Sequence, residues 1–345
     1  MSLSDGPRII GGMFGLQEPR LVEHCHAPFL DGRTTLLANA RSGLSLIVEQ
    51  LKPPQIWMPS YLCGLMAAAL GSRGAGVRFF GVSHNLTLPS LDWTGEVGPG
   101  DVVVFIDYFG FPSDSTAAAR VKERGAWVVE DAAQALLSDS TGTLGDFVLY
   151  SPRKWLGVPD GGILGINCAA ELPDASLEPP QDRWWLDSLR ASLLRRDFDL
   201  RGGEREWFEL FRKCDARGPT RPCAMSQLSC FLLRHCFDYQ AVAQSRVENY
   251  LLLSGELADL AVFPSLAPGV VPLGFPVVVG KRDRLLRALF ESGIYPPVHW
   301  PIEGVVPMEF SESHQLASEI MTLPCDQRYG KAEIKRIIAA VRQFL

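Results

Sequence analysis

Apolar positions in this chain fall into short unbroken runs, and stretches with helical spacing lie between them. The run 102–106, Val-Val-Val-Phe-Ile, has no polar alternation, which is typical of a parallel strand covered by helices on both faces. Residues 113–124 predict the helix that follows, with Ser113 as its N-cap, and residues 127–130 and 147–150 predict two further strands. Strands that alternate with helices in this way indicate a mostly parallel, doubly wound α/β domain.

The same patterning predicts a second, smaller unit near the C-terminus. A long helix over residues 225–253 is expected to leave the large domain, and a short strand and helices over 282–292 and 331–345 follow it. This order indicates a small α+β domain. We therefore expect residues 1–225 to form an N-terminal arm and the large domain, and residues 226–345 to form the linking helix and the small domain.

Composition and charge narrow the class of protein. Of the 345 residues, 47% are apolar and 21% are charged, as in a typical folded protein. The net charge of −6 argues against general binding to nucleic-acid phosphates. No run reaches the roughly 18 apolar residues of a membrane helix. The N-terminus lacks the basic start and following apolar run of a signal peptide, so none is predicted. We expect a cytoplasmic protein with neither a nucleic-acid nor a membrane partner.

One stretch, residues 181–213, is rich in arginine and tryptophan. Arginine runs can bind nucleic acid, but aspartate and glutamate are interleaved along this one. The local charge balance predicts a solvated helical face or an interface instead.

Eight cysteines are scattered along the chain, and no two of them form a C-x-x-C pair. This usage is typical of reduced cysteines that act as small apolar side chains in a cytosolic protein. The group Cys223, Cys230, His235 and Cys236 matches no zinc-binding spacing, so no metal site is predicted.

Two charged residues follow neighbouring strands of the predicted sheet. Asp131 closes one strand, and Lys154 follows the next in an apolar, glycine-bearing context that is unusual for a surface lysine. In open α/β sheets, ligands bind beyond the carboxyl ends of the strands. A lysine and an acid placed there can hold pyridoxal phosphate, the lysine through a Schiff base and the acid by keeping the ring nitrogen protonated. The competing interpretation of Asp131 is a helix N-cap.

Other polar positions are candidates for the same ligand. Ser42-Gly43-Leu44 is predicted to open a helix, whose backbone N–H groups and serine hydroxyl can receive a phosphate. Ser151 offers a second hydroxyl beside Lys154, and Gln134 can supply an amide near Asp131. The motifs of P-loop proteins, serine hydrolases and zinc proteases are absent from the sequence.

Several short motifs together resemble the DegT/DnrJ/EryC1/StrS family, which is best known for sugar aminotransferases. Each motif alone is weakly specific, but they occur in the family's order and span most of the chain. The matching segments are Ser42-Gly43, Met58-Pro59-Ser60-Tyr61, Glu130 to Ala135, Gly145-Asp146 through Ser151 to Lys154, Gly161-Gly162, Gly293-Ile294, Val298 to Pro301, and Leu323-Pro324.

The resemblance implies a fold-type I pyridoxal-phosphate transferase that works as a homodimer, with active sites at the subunit interface. It implies that Lys154 is the catalytic residue bonded to pyridoxal 5'-phosphate, that Asp131 pairs with the ring nitrogen, and that Gln134 lies beside the cofactor. The positions that it assigns to the cofactor phosphate are Ser42, Gly43, Leu44 and Ser151.

The chain also departs from the family's pattern. Leu44 stands in place of a phosphate-binding threonine, and Cys63 stands where an aromatic residue stacks on the cofactor ring. The family's G-x-N-x-R-m segment, which reaches into the partner's site, has no clear counterpart before Met225. The chain is therefore expected to belong to a divergent branch.

The expected activity is amino transfer from a donor such as glutamate to a keto group of a nucleotide-linked sugar or a secondary-metabolite precursor. His299 and Trp300 are the candidates on the substrate side. Two alternatives stay open from the sequence. One is a pyridoxal-dependent sugar dehydratase of the same family, and the other is a homologue that binds cofactor or sugar without turnover.

Overall fold

A computed structural model describes residues 9–23, 25–70, 76–168 and 177–345. Strand and helix alternate through the first half of the chain, as the apolar runs predicted. The strands are β1 (Ile10–Gly11), β2 (Thr34–Leu37), β3 (Gln55–Pro59), β4 (Gly76–Phe80), β5 (Val102–Ile106), β6 (Trp127–Asp131), β7 (Phe147–Tyr150), β8 (Gly162–Ile166), β9 (Phe275–Val278), β10 (Ile294–Tyr295) and β11 (Ile320–Leu323).

Seven of the described strands form one sheet in the order β2-β8-β7-β6-β5-β3-β4. The run from β4 through β3, β5 and β6 to β7 is parallel, and β8 runs antiparallel to both β7 and β2. Every residue of β5 is buried, because apolar side chains pack on both faces of the sheet. The predicted mostly parallel α/β class is confirmed.

The helices cover the sheet and build the C-terminal part. Helix α3 begins at Ser115 with Asp114 as its N-cap, so the prediction of Ser113 was wrong; the Asp114 carboxylate accepts the N–H groups of Thr116 and Ala117. The helices are α1 (Ala40–Leu51), α2 (Gly64–Leu70), α3 (Ser115–Glu123), α4 (Asp182–Arg201), α5 (Glu206–Ala216), α6 (Gln227–His235), α7 (Tyr239–Leu257), α8 (Arg282–Glu291), α9 (Ser311–Glu319) and α10 (Lys331–Phe344).

The single linking helix predicted over 225–253 is in fact two helices. Helix α6 stops at His235 and α7 starts at Tyr239, with Asp238 accepting the N–H of Ala241 as the N-cap of α7. Both segments have helical composition, so the break was not visible in the periodicity. A capping aspartate in the middle of the stretch was the signal that could have located it.

Two small sheets organise the C-terminal part. Strand β9 pairs antiparallel with β11, and β10 pairs in parallel with β1 from the N-terminal segment. Helices α7, α8 and α10 contribute to the apolar cluster around these strands. The N-terminal segment therefore packs on the C-terminal part, and the boundary at residue 225 stays a prediction. Within the described ranges, no helix combines the length and apolar character needed to cross a membrane.

Candidate active site

A cavity of about 790 Å³ lies beyond the carboxyl ends of β6 and β7. Its wall includes Asp131 from the end of β6 and Ser151 and Lys154 from the segment after β7. Because β6 and β7 are neighbouring parallel strands, their ends deliver these side chains to the same edge of the sheet. The sheet thus brings together the lysine and the acid that the sequence singled out.

Asp131 is buried at the base of this cavity. The backbone N–H of Ala133 donates to its Oδ1 at 3.0 Å. Burial raises the pKa of the Asp131 carboxyl, and the positive charge of Lys154 opposes that shift. No helix follows Asp131 before β7, so its interpretation as a helix N-cap was wrong. Its carboxylate is free to interact with a cationic ligand.

Lys154 ends a short 3-10 helix, Pro152–Lys154, directly after β7. The buried Trp155 follows it and anchors the segment, since its indole N–H donates to the carbonyl oxygen of Ala133 at 3.1 Å. This hydrogen bond ties the lysine segment to the loop that follows Asp131. Lys154 is only partly buried, and its ammonium group influences Asp131, Asp215 and His299 around the cavity.

Gln134 is fully buried next to the Asp131 loop. Its Oε1 accepts the backbone N–H of Phe109 at 2.9 Å. Its Nε2 is buried and has no hydrogen-bond partner among the described residues. A buried amide N–H without a partner is unfavourable by about 1–3 kcal/mol, so this donor is available for an acceptor oxygen on a ligand.

Helix α1 begins at Ala40, two residues before its predicted start at Ser42. Asn39 is the N-cap, and its Oδ1 accepts the backbone N–H of Ser42 at 2.9 Å. The hydroxyl of Ser42 donates to the carbonyl oxygen of Arg221 at 3.0 Å. The start of the helix that lines the cavity is therefore formed by Asn39, Ala40 and Arg41.

The remaining phosphate candidates differ in where they lie. Gly43 packs on the sheet so closely that a Cβ there would lie 2.6 Å from a methyl group of Leu149. Leu44 and Ser151 do line the cavity. Ser151 is buried, with 4% of its surface exposed.

Cys63 also lines the cavity, just before helix α2. The nearby Tyr61 does not reach the cavity wall, because its ring is buried between Tyr108 and Trp300 at centroid distances of 5.8 and 5.6 Å. Tyr61 therefore packs against Trp300, and of these two positions only Cys63 lines the cavity.

His299 and Trp300 line the cavity on the side of the C-terminal part. The Nδ1 of His299 lies 2.8 Å from the Thr322 hydroxyl oxygen. Burial, together with the nearby positive charge of Lys154, lowers the pKa of His299 to about 3. The imidazole is therefore neutral at physiological pH, with one ring nitrogen that donates a hydrogen bond and one that accepts.

This shift predicts a pH dependence of stability. A lowered pKa means that the folded state binds the proton more weakly than the unfolded state, so His299 lowers stability as pH falls below about 6.5. Between about pH 6 and 4, we expect His299 to lower the free energy of unfolding by as much as about 1.4 kcal/mol for each pH unit of acidification. Urea unfolding of wild type and His299→Asn at several pH values measures the difference, with the exposed His235→Asn as control. Parallel pH profiles for wild type and His299→Asn would contradict the assignment.

Comparison with known proteins identifies the fold. The chain matches no protein-family model. It is 23% identical to the erythromycin biosynthesis sensory transduction protein EryC1 of Saccharopolyspora erythraea over 316 residues, covering 85% of this chain and 78% of that protein. A DegT DnrJ EryC1 StrS aminotransferase from Brucella abortus superposes with a TM-score of 0.64 at 18% identity, over 91% of this chain and 86% of that chain.

This chain has the DegT/DnrJ/EryC1/StrS aminotransferase fold. The family resemblance predicted from the motifs is confirmed. DesI, solved in the presence of its TDP-sugar product, shares the fold with a TM-score of 0.66 at 20% identity, over 90% of this chain and 80% of that chain. The fold-type I prediction is likewise confirmed.

The sequence did not predict that one part of the cavity wall in this DegT-type fold is formed by α4 and α5. Helices α4 and α5 were predicted as a solvated face or an interface, but both contribute side chains to the cavity. On α5 the contributing residues recur at helical spacing, which was the available signal. Arg205, just before α5, lies over the rings of Tyr295 and Trp207 at 4.0 and 5.6 Å. The residues of α5 that line the cavity are Trp207, Phe208, Phe211, Cys214 and Asp215.

Proposed function

We propose that this protein is a pyridoxal-phosphate-dependent aminotransferase. It moves an amino group from an amino acid such as glutamate to a keto group of a nucleotide-linked sugar or a secondary-metabolite precursor. The observation that carries the proposal is that Lys154 and Asp131, delivered by neighbouring strands, face one cavity. Pyridoxal phosphate, when bound, supplies an aldehyde that bonds to a primary amine and a ring that accepts electrons.

The residues present fit this cofactor. Lys154 offers a primary amine, and Asp131 offers a buried carboxylate for the ring nitrogen. The Nε2 of Gln134, which lies next to the Asp131 loop and is not itself among the cavity-lining residues, is a buried donor without a partner in the described part of the chain. The positive end of the α1 dipole faces the cavity and favours a phosphate there.

The chain's own groups carry the proton transfers. Lys154 Nζ would hold the cofactor through its aldehyde carbon and, as a free amine, would act as general base and acid in the proton transfers. Asp131 would keep a proton on the ring nitrogen of the bound cofactor, because a buried carboxylate stabilises a cation that it contacts. His299 is neutral and so can orient a substrate hydroxyl without adding positive charge beside Lys154.

The substrate class is supported by the size of the cavity and by the aromatic side chains that line it. A volume of about 790 Å³ exceeds what an amino acid needs and suits a larger metabolite. Indole and phenyl rings of α4 and α5 line one side, where a nucleobase or another flat group can stack. DesI, which shares the fold, was solved with a TDP-sugar product, and this supports a nucleotide-linked sugar here.

We also propose that the protein is a cytoplasmic homodimer. All eight cysteines are free thiols, as expected of a reducing compartment. Leu186, Leu193 and Leu200 are 55%, 47% and 57% exposed and lie seven residues apart along α4, so they form an apolar stripe that a second copy can cover. Light scattering on purified protein should give twice the mass of 38.0 kDa. A monomer over the micromolar range would contradict this part of the proposal.

A spectral half-reaction tests the function directly. Purified protein with added pyridoxal phosphate should show the visible absorbance of the lysine-bound cofactor, and an amino donor such as glutamate should remove it. A keto acid should then restore the band. A band that no amine donor changes would contradict transfer and indicate a protein that only binds the cofactor.

A further inference from the structure

Arg246, on helix α7, is a fully buried arginine beside the cavity. Two other arginines of the cavity wall, Arg153 and Arg328, form ion pairs with carboxylates. The side-chain hydrogen bonds of Arg246 go to uncharged oxygens instead. Burial lowers the pKa of its guanidinium to about 10, although the negative charge of Asp326 opposes this shift. The group is still a cation at neutral pH, and a buried cation is unfavourable unless its contacts replace the lost water.

Those contacts converge on the residue that follows Lys154. The guanidinium of Arg246 lies over the Trp155 ring at 4.3 Å, and its Nη2 donates to the Trp155 carbonyl oxygen at 3.4 Å. Gln327 completes the arrangement. Its Oε1 accepts from Arg246 Nε at 2.8 Å, and its Nε2 donates to the same Trp155 carbonyl oxygen at 2.7 Å. Two donors, one from α7 and one from the segment after β11, therefore hold a single carbonyl group.

Trp155 is fixed from other directions as well. Its indole N–H donates to the carbonyl oxygen of Ala133 at 3.1 Å. Its backbone N–H donates to the carbonyl oxygen of Pro152 at 2.9 Å, which closes the short helix that ends at Lys154. Ring, carbonyl, indole N–H and backbone N–H are all engaged. The backbone of Lys154 is thus positioned through its neighbour, while its own side chain extends to the cavity wall.

The other edge of the Arg246 guanidinium binds the C-terminal part. Its Nη1 donates to the carbonyl oxygens of Pro272 and Leu273 at 3.1 and 2.9 Å. Leu273 lies just before β9 and lines the cavity. A planar group with five fixed N–H donors can stack on a ring and bind several carbonyl groups at once, which a lysine ammonium cannot do. One side chain therefore ties the Lys154 segment to the C-terminal part.

We propose that Arg246, together with Gln327, is a positioning residue for Lys154. The pair fixes the backbone on the C-terminal side of the lysine, so that the amine keeps one position whether it is free or bonded to the cofactor. Neither side chain takes part in the reaction itself. A displacement of about 1 Å at a reacting group can slow a reaction about 10²-fold, so the effect on turnover is large. This inference rests on the proposed function, which gives Lys154 its chemical role.

Gln327→Glu is the sharpest test, because it keeps the shape and the acceptor for Arg246 Nε but removes the donor to the Trp155 carbonyl. Stopped-flow absorbance of the cofactor-loaded protein with an amino donor measures the maximal rate and the donor concentration at half that rate. We expect the maximal rate to fall about 5- to 10-fold in Gln327→Glu and about 10- to 100-fold in Arg246→Met, with the half-saturating concentration unchanged. Gln327→Met loses the same donor without adding charge and should behave like Gln327→Glu.

Matched control substitutions are available in the C-terminal part. Arg284→Met removes an exposed arginine of α8 that also lies over a ring, that of Phe344 at 6.0 Å. Gln343→Glu adds the same charge at an exposed position of α10. Both controls should keep the wild-type rate. Thermal melting shows which variants are folded, and the Gln327 variants carry the test if the fully buried Arg246 cannot be replaced.

Hydrogen exchange without added cofactor separates this inference from the proposed function. The peptide over residues 152–158 should exchange faster in the Gln327 variants than in wild type. If it does, but wild type reacts with no amine donor, the proposed function fails and the contact that positions Lys154 stands. A wild-type maximal rate in variants with faster exchange, a change only in the half-saturating concentration, or faster exchange confined to the peptides around residues 272 and 327 would each overturn the inference.

Discussion

Replacing Lys154 with alanine should abolish amino transfer, with a loss in turnover of at least about 10³-fold. The substitution removes both the amine that bonds to the cofactor and the base that moves the proton. No other described lysine lines the cavity, so no neighbouring amine can take its place. The fold should survive, because Lys154 is only partly buried and the anchoring residue beside it is Trp155.

Three readouts distinguish this loss from unfolding. Borohydride reduction should attach pyridoxal phosphate to Lys154 in wild type and to no residue of the variant, as peptide mass spectrometry can show. Thermal melting of the variant should stay close to that of wild type. Lys213→Ala, an exposed lysine on α5, is the matched control and should keep full activity. Normal turnover in Lys154→Ala, or cofactor trapped at another lysine, would remove the basis of the proposed function.

The sheet and the positions of Asp131 and Lys154 at its edge were predictable because they depend on local sequence. A short, valine-rich unbroken apolar run such as β5 favours a strand that is buried on both faces, and such strands run parallel when helices connect them. Parallel strands end at one edge, so the order of Asp131 and Lys154 along the chain was enough to place them together.

The phosphate end was not predictable in the same way. Ser42 and Asn39 are both good capping residues, and the sequence around them does not decide between them. The choice depends on a tertiary contact, because the hydroxyl of Ser42 is taken up by the carbonyl oxygen of Arg221, 179 residues along the chain. Because α1 begins two residues earlier than predicted, Arg41 lines the cavity wall and Ser42 does not.

The wall formed by α4 and α5 shows a second limit. Arginine and tryptophan interleaved with acids resemble a solvated surface, because composition does not reveal which face of a helix is covered. In the structure Arg195 is buried, lies over the Trp207 ring at 4.5 Å and pairs with Asp199 four residues along α4. The pair with Asp199 is a local i,i+4 contact, but the packing of Arg195 on Trp207 joins α4 to α5, and no local pattern connects those two positions.

The second large effect is expected for Asp131→Asn, which should lower turnover by about 10²- to 10³-fold while the cofactor still bonds to Lys154. Asparagine has the same shape, and its Oδ1 can still accept the N–H of Ala133, so the loop should keep its conformation. What is lost is the negative charge. Without it, a buried site no longer stabilises a protonated ring nitrogen, and the ring accepts electrons less well.

A cofactor methylated at the ring nitrogen provides the decisive test of Asp131, because its charge is permanent and needs no carboxylate to hold a proton. We expect this analogue to restore a large part of the turnover of Asp131→Asn, measured by steady-state kinetics, and to give wild type no benefit. Asp139→Asn, an exposed position after the same strand, controls for the substitution itself. Full activity of Asp131→Asn with the normal cofactor, or a loss that the methylated cofactor leaves untouched, would show that this carboxylate does not act on the ring nitrogen.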